Sequence, residues 1–305
     1  MRYFLRHITH MSLPVAIALL VGVLGMWSVD YIRQPEQWGS ILLAQSLSLM
    51  NALLLSSVLY RAKATAHFSL IPAILYLVTT AIFPYLRMHW APQVLVMVIA
   101  LFLLVTRDMS DDHEPNSVLF LITVLLCATA FIVPDALWCI AYLWVAVLIQ
   151  GGFSLRSVVA TLLGAVMCAI YYQLFVYMGW MPAVDWSVLW TRQWFADMQP
   201  AQIVTAVVAL LAGFLYVSGA AFRRSSYDLV STRMLLYQTV MLGLMTAPLI
   251  LLSSAQSDSL CLMPLSMAGT AGIYLLQTKS ESRGITLLVY LVGAVTLYLT
   301  LLISL

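Results

Sequence analysis

The segment ILLAQSLSLMNALLLSSVLY, residues 41–60, decides the fold, because it is long and apolar enough to cross a lipid bilayer. A helix needs about 20 mostly apolar residues to span the hydrocarbon core. The segment contains one polar arc, about 140° wide on a helical wheel, which is made of Gln45, Ser48, Asn51 and Ser56. Amides that faced lipid would have no hydrogen-bond partner. We therefore expect this arc to face other helices of a membrane bundle.

The composition of the whole chain also indicates that lipid, rather than water, surrounds most of it. Of its 305 residues, 63% are hydrophobic and 9% are charged, whereas a soluble domain carries about 25% charged residues. So few charges could not solvate the surface of a water-soluble fold of this length. The net charge of +2 and the lack of a dense basic run give no support to a nucleic-acid partner. We expect membrane lipids as partners instead.

Eleven apolar segments follow one another along the chain. They cover residues 12–29, 41–60, 67–86, 91–106, 117–133, 135–150, 157–178, 200–221, 234–252, 260–277 and 285–304. The fourth, fifth and sixth are shorter than the others, at the lower limit of about 17 residues for a span. The pattern predicts an all-α fold, a polytopic transmembrane bundle of about 11 spans that forms a single integral membrane domain over residues 1–305.

The basic residues predict the orientation of this bundle. If the N-terminus is cytoplasmic, 11 of the 14 Lys and Arg residues fall in connections on the cytoplasmic side, and only Arg33, Arg87 and Arg192 fall on the other. Cytoplasmic loops of membrane proteins carry such an excess of Lys and Arg, whereas acidic residues contribute little to orientation. We therefore predict a cytoplasmic N-terminus and a periplasmic C-terminus.

The stretch DWSVLWTRQWFADM, residues 185–198, places Trp186, Trp190 and Trp194 four residues apart, on one face of a helix. This pattern predicts an amphipathic helix that lies at the outer leaflet, because indole rings favour the membrane interface. One interpretation is a one-sided aromatic belt that fixes the depth of the bundle. The other is a platform that binds a sugar or a lipid head group. The predicted belt also includes Trp27, Trp38, Trp90, Trp138 and Trp180.

The centres of the eleven segments contain no Asp, Glu, Lys or Arg. Charges inside a membrane usually mark pumps and ion paths, so this pattern weighs against transport coupled to protons or sodium. The four cysteines have no metal-ligand spacing, and we interpret them as apolar packing residues. The sequence therefore predicts no metal site and no cofactor.

The first predicted outer loop, VDYIRQPEQW at residues 29–38, contains the acids Asp30 and Glu36. Its position resembles that of the loop in which membrane glycosyltransferases of the C-fold keep a catalytic carboxylate. The resemblance implies that Asp30 and Glu36 are catalytic, with Gln45 and Asn51 lining the substrate cavity. The alternative is that Asp30 is a solvated helix end.

Three runs of the chain resemble a family of uncharacterised polytopic inner-membrane proteins of Bacteroidota. They are ILLAQSLSLMNALLLSSVLYRAKATAHFSLIPAILYLVTTAIFP at 41–84, APQVLVMVIALFLLV at 91–105 and GGFSLRSVVATLLGAVMCAIYY at 151–172. The similarity covers roughly residues 40–180. It implies a location in the bacterial inner membrane, within the cell envelope, and assigns no activity or functional residue.

Three functions remain open from the sequence. The first is a non-catalytic membrane subunit or scaffold of a cell-envelope assembly system, with other envelope membrane proteins as partners. The second is a C-fold-like enzyme that acts on a lipid-linked substrate at the outer face, with Trp186, Trp190 and Trp194 beside the substrate. The third is a transporter that is not coupled through intramembrane charges.

Overall fold

The computed structural model describes residues 21–64, 69–106, 115–150, 154–184, 218–219, 230–252 and 261–277, apart from 22, 26 and 33. These residues form helices and short connections, and no strand occurs among them. The predicted all-α class is therefore confirmed. The tryptophan stripe, Trp186, Trp190 and Trp194, lies outside the described residues.

Ten helices follow in chain order within these ranges, apart from the helical pair of residues 218–219. Helix α1 is helical at each described position between 21 and 32. The others are α2 (Trp38–Arg61), α3 (Ile71–Ile82), α4 (Pro84–Met88), α5 (Ala91–Val105), α6 (Pro115–Ala130), α7 (Trp138–Ile149), α8 (Leu155–Tyr177), α9 (Val230–Leu252) and α10 (Leu262–Gln277). Short 3-10 turns, Pro35–Gln37 and Pro134–Leu137, precede α2 and α7.

The third predicted segment, 67–86, is not one helix. Helix α3 ends at Ile82 and α4 begins at Pro84, with Phe83 in an extended conformation between them (φ −97°, ψ 107°). Proline has no N–H to donate and disfavours the helical conformation of the residue before it. Pro84 therefore divides the segment, and the short helix that follows carries Arg87.

Two of the described helical stretches, Pro35–Arg61 and Leu155–Tyr177, are long and apolar enough to cross a membrane. Helix α9 also has 23 residues, whereas several others are shorter: α5, for example, has 15 residues, which gives a length of about 22 Å at 1.5 Å per residue. A hydrocarbon core is about 30 Å thick. Length and composition together therefore identify a candidate span in only these two of the described helical stretches.

Helices α2, α3, α5 and α10 form the centre of the packing. Helix α2 packs against α3, α4, α5 and α10, and α3 also packs against α10. Helix α9 lies between α10 and α7, while α6 connects α5 to α8. This order places α8 at the edge, where its strongest contact is with α6.

Helix α2 buries its polar arc together with apolar residues such as Leu55, and its exposed face is mostly apolar. The predicted polar arc is confirmed as the buried face, with Gln45, Ser48, Asn51 and Ser56 each at most 7% exposed. The exposed side chains include Leu42, Leu43, Leu49, Met50 and Leu53. A helix on the surface of a water-soluble protein has the opposite arrangement, so this distribution is typical of a helix that faces lipid.

Candidate functional site

Asp30 forms a buried ion pair with Arg87. The Nη2 atom of Arg87 lies 3.1 Å from Oδ1 of Asp30, and the two side chains are 5% and 2% exposed. The expectation that Asp30 is a solvated helix end is wrong. A charge removed from water needs a partner of opposite sign, and the break at Pro84 puts Arg87 on a short helix that packs against α2.

The second predicted catalytic acid, Glu36, lies in the 3-10 turn Pro35–Gln37 and is exposed. Asp30 is 1% exposed. The structure therefore places the two carboxyl groups in different environments, one paired inside the bundle and one in contact with the surroundings. The catalytic roles of both remain a prediction.

Hydrogen bonds attach α1 and α4 to the start of α2. The Tyr31 hydroxyl donates to Oε1 of Gln45 at 2.9 Å, and the Ser40 hydroxyl donates to the carbonyl of Met88 at 3.0 Å. Burial and, to a smaller extent, the negative charge of Asp30 raise the pKa of Tyr31, so its hydroxyl keeps the proton that it donates. We call this region, with the Asp30–Arg87 pair, the Asp30 end of the bundle.

A buried hydrogen-bond network around Gln93 joins the central helices. The Asn51 amide donates to the backbone carbonyl of Gln93 at 2.9 Å and to its Oε1 at 3.2 Å. The Tyr76 hydroxyl donates to the same Oε1 at 2.8 Å, and Nε2 of Gln93 donates to the carbonyl of Leu86 at 3.1 Å. Gln93 therefore connects α2, α3, α4 and α5, and neither Gln93 nor Arg87 was predicted from the sequence to interact.

Several polar atoms of this interior have no hydrogen-bond partner among the described residues. They are Oδ1 of Asn51, Nε2 of Gln45, Oγ of Ser56 and Nε1 of Trp27. Trp27 is 3% exposed, so the prediction that it belongs to a lipid-facing belt is wrong. By contrast, Trp38 and Trp180 are 63% and 71% exposed, as a belt requires.

A second polar region lies at the opposite end of α2, where α2, α5 and α7 end and α9 begins. We call it the Arg61 end. It contains a cavity of about 40 Å³, lined by Val58, Arg61, Ala62, Leu103, Leu104, Thr106, Gln150, Met234, Leu235 and Gln238. The Gln150 amide donates to the carbonyl of Thr106 at 3.0 Å, and the Thr232 hydroxyl donates to that of Ala62 at 2.9 Å. Side chains thus satisfy backbone groups that helix ends leave open.

The structure brings Gln45 and Asn51 to one buried face of α2, as predicted, with Asp30 near the start of that helix. Both amides bond to protein groups, Gln45 to Tyr31 and Asn51 to Gln93. Over the described ranges, no three His, Cys, Asp or Glu residues lie close enough together to hold a metal ion. The chemistry of this region is therefore hydrogen bonding and charge pairing between helices.

No family model, curated protein or solved structure matches the chain.

Proposed function

We propose that the chain is a multi-pass protein of a bacterial inner membrane and serves as a non-catalytic subunit or scaffold of a cell-envelope assembly system. The proposal includes about 11 spans, a cytoplasmic N-terminus and a periplasmic C-terminus. The resemblance to inner-membrane proteins of Bacteroidota supports the location. The burial of Asp30 in an ion pair with Arg87 is the observation that carries the non-catalytic role.

The exposed face of α8 supports a lipid surrounding. Its outward residues are large and apolar, namely Leu155, Val159, Leu162, Leu163, Val166, Met167, Ile170 and Leu174, each at least 41% exposed. Its buried residues are mostly small or polar, such as Ser157, Ala160 and Gly164. Soluble monomers rarely expose contiguous apolar patches of more than a few hundred Å². Lipid chains are themselves apolar, so they would cover such a face without a free-energy penalty.

Hydrogen bonds between helix ends support the proposed alternation. The Ser40–Met88 bond joins two ends that the alternation places on the periplasmic side. The bonds from Gln150 to Thr106 and from Thr232 to Ala62 join ends that it places on the cytoplasmic side. An odd error in the number of crossings between these residues would separate the partners by the thickness of the membrane.

The Asp30–Arg87 pair supports a structural role for the acid that the enzyme hypothesis uses. A general base must reach the substrate proton directly or through one water molecule. Asp30 instead contacts a guanidinium, with its side chain 2% exposed. Removal of one partner from a buried ion pair leaves the other charge uncompensated and costs about 3–5 kcal/mol, so the fold depends on both partners at the junction of α1 with α4.

A charge swap separates the structural role from a catalytic one. We expect Asp30→Asn to reduce the yield of folded protein, because Arg87 then stays buried without its counter-charge. The double variant Asp30→Arg, Arg87→Asp restores the pair in reverse and is expected to recover the folded yield. The measurements are the monodisperse peak in detergent size-exclusion chromatography and the envelope glycan and lipid profile of cells that carry each variant.

Glu36→Gln is the matched control, because it removes an exposed carboxylate six residues further along the chain. It should leave both the yield and the envelope profile unchanged. A swap variant that folds normally but alters the envelope profile would contradict the non-catalytic role, since it keeps an ion pair and moves the carboxylate from position 30 to position 87.

A further inference from the structure

We propose that the cavity at the Arg61 end binds one phosphate group, either from an anionic lipid head group or as free phosphate. The cavity lies where three helices end and α9 begins, and Arg61, Gln150 and Gln238 provide its polar wall. Its volume of about 40 Å³ holds about three water molecules. The oxygens of one phosphate group, entering beside the exposed Arg61, would replace them.

A second arginine, Arg233, does not line the cavity but is adjacent in sequence to a residue that does, and it supports the assignment of an anion. Arg233 directly precedes Met234, which lines the cavity. The Thr232 hydroxyl bonds to the carbonyl of Ala62, so the residues adjacent to this bond, Arg233 and Arg61, are held on neighbouring helix ends. The Nε atom of Arg233 is buried and makes no hydrogen bond within the described part of the chain. A buried guanidinium N–H favours a negatively charged acceptor.

The ends of α2, α5 and α7 present backbone carbonyls, which would repel an anion. Side-chain donors cover three of these carbonyls. Gln150 covers that of Thr106 at 3.0 Å, Thr232 covers that of Ala62 at 2.9 Å, and Gln238 covers that of Ala146 at 3.5 Å. An amide nitrogen carries two N–H groups, and each glutamine bond uses one. The remaining N–H groups of these two glutamines, which line the cavity together with Arg61, give its wall hydrogen-bond donors for an acceptor ligand.

The rest of the cavity wall fits the apolar part of a lipid. Val58, Leu103, Leu104 and Leu235 line it, so a head group beside Arg61 could continue into acyl chains along apolar side chains. Basic pockets between helices on the cytoplasmic side of a membrane bind anionic head groups. The choice of this leaflet rests on the proposed orientation, whereas the phosphate site itself does not.

The test uses the full chain, purified in mild detergent and stripped of lipid. The additions are phosphatidylglycerol, diacylglycerol with the same acyl chains, and inorganic phosphate at constant ionic strength. Native mass spectrometry counts bound lipid, and intrinsic tryptophan fluorescence reports the thermal midpoint. We expect one tightly retained phosphatidylglycerol per chain, a raised midpoint, and neither effect from diacylglycerol. Protection by inorganic phosphate without phosphatidylglycerol binding would identify the free ion as the ligand.

The variants Arg61→Gln and Arg233→Gln are each expected to weaken binding about tenfold, the loss of one charge-assisted hydrogen bond. Arg61→Lys keeps the positive charge but lacks the forked N–H donors of a guanidinium. It replaces Arg61→Gln in the binding measurement if that variant fails to fold. Arg156→Gln is the matched control, because Arg156 is exposed on α8 and does not line the cavity. It should bind as the wild type does.

Three results would contradict the proposal of a phosphate site. The first is retention of diacylglycerol as tight as that of phosphatidylglycerol, which would show acyl binding alone. The second is undiminished binding in Arg61→Gln and Arg233→Gln. The third is no response of the wild type to either phosphate source. None depends on a partner protein, so the scaffold function would stand or fall separately.

Discussion

Helices α2 and α8 have similar length and opposite positions in the bundle. Half of the most apolar 18-residue window at α2 is buried, against 28% at α8. Helix α2 contacts four other helices, whereas α8 packs mainly against α6. The buried residues also differ: α2 buries hydrogen-bonding side chains such as Asn51, and α8 buries small residues such as Gly164. The helices of this bundle therefore associate in two ways, through hydrogen bonds and through close packing of small residues.

The difference follows from the physics of association in lipid. Apolar side chains gain little by leaving lipid for a protein interior, so helices associate through hydrogen bonds and close backbone approach. A central helix with several neighbours can satisfy polar side chains, as Asn51 does with Gln93. A peripheral helix gains most from close approach, and a Cβ at Gly164 would lie 2.9 Å from the Phe120 carbonyl oxygen of α6.

The largest effect is expected from Gln93→Leu, which removes the hub of the α2 network. The Tyr76 hydroxyl and the Leu86 carbonyl lose their partner, and Asn51 loses one of its two bonds. At about 1 kcal/mol for each group, the free energy of unfolding should fall by about 2–3 kcal/mol. Gln37→Leu, in an exposed turn, should change it by less than about 0.5 kcal/mol. SDS unfolding titration in mild detergent measures both, and equal losses would show that the network contributes nothing specific.

An intermediate effect is expected from Gly164→Ala on α8. The new Cβ would lie 2.9 Å from the Phe120 carbonyl oxygen and 3.2 Å from Cβ of Thr123, so the two helices must separate. Overpacking of this kind costs about 1–3 kcal/mol. Gly39→Ala on α2 is the matched control, because its Cβ would meet nothing within 4 Å and alanine favours a helix by up to about 1 kcal/mol. The two substitutions should shift the thermal midpoint in opposite directions. If both variants shifted the thermal midpoint in the same direction, close packing at Gly164 would not be the basis of the α6–α8 contact.

The smallest effect is expected from Ser154→Ala at the start of α8. The Ser154 hydroxyl accepts the Ser157 backbone N–H at 3.2 Å, and the Ser157 hydroxyl accepts that of Ser154 at 2.9 Å. The loss of such a capping residue costs about 1 kcal/mol. Ser46→Ala, which removes an exposed hydroxyl from α2, should have almost no effect on the thermal midpoint. An unchanged midpoint in Ser154→Ala would mean that the membrane interface satisfies this helix end without the cap.

The two helices also differ in how much of their structure was predicted from the sequence. The polar arc of α2 was predicted to be buried, because amides among leucines have no place in lipid, and this is confirmed. Its partners were not predicted: Gln93 is a single polar residue near the start of an apolar run, and Arg87 is 57 positions from Asp30. Pairing between side chains so distant in sequence depends on helix packing, which apolar periodicity does not report.

The junction at Pro84 was missed for a local reason. Residues 67–86 are mostly apolar, so hydropathy predicts one segment, whereas the proline fixes the break at Phe83. Trp27 was assigned to the lipid interface from its place at a segment end, yet it is buried. Segment ends predict depth in the membrane, but the side of a helix that faces its neighbours depends on tertiary contacts. Gln45 and Asn51 were correctly assigned to the interior, and their predicted role in substrate binding remains a prediction.

The central claim, that lipid surrounds this bundle, is tested most directly at the two ends of α8. Leu155 and Tyr177 begin and end this 23-residue helix, at 80% and 90% exposed, while all four native cysteines are buried. Leu155→Cys and Tyr177→Cys would be treated separately, in intact and in permeabilised cells, with a membrane-impermeant maleimide. Tyr177→Cys should react in intact cells, and Leu155→Cys only after permeabilisation. Reaction of both positions under the same condition would contradict a crossing by α8.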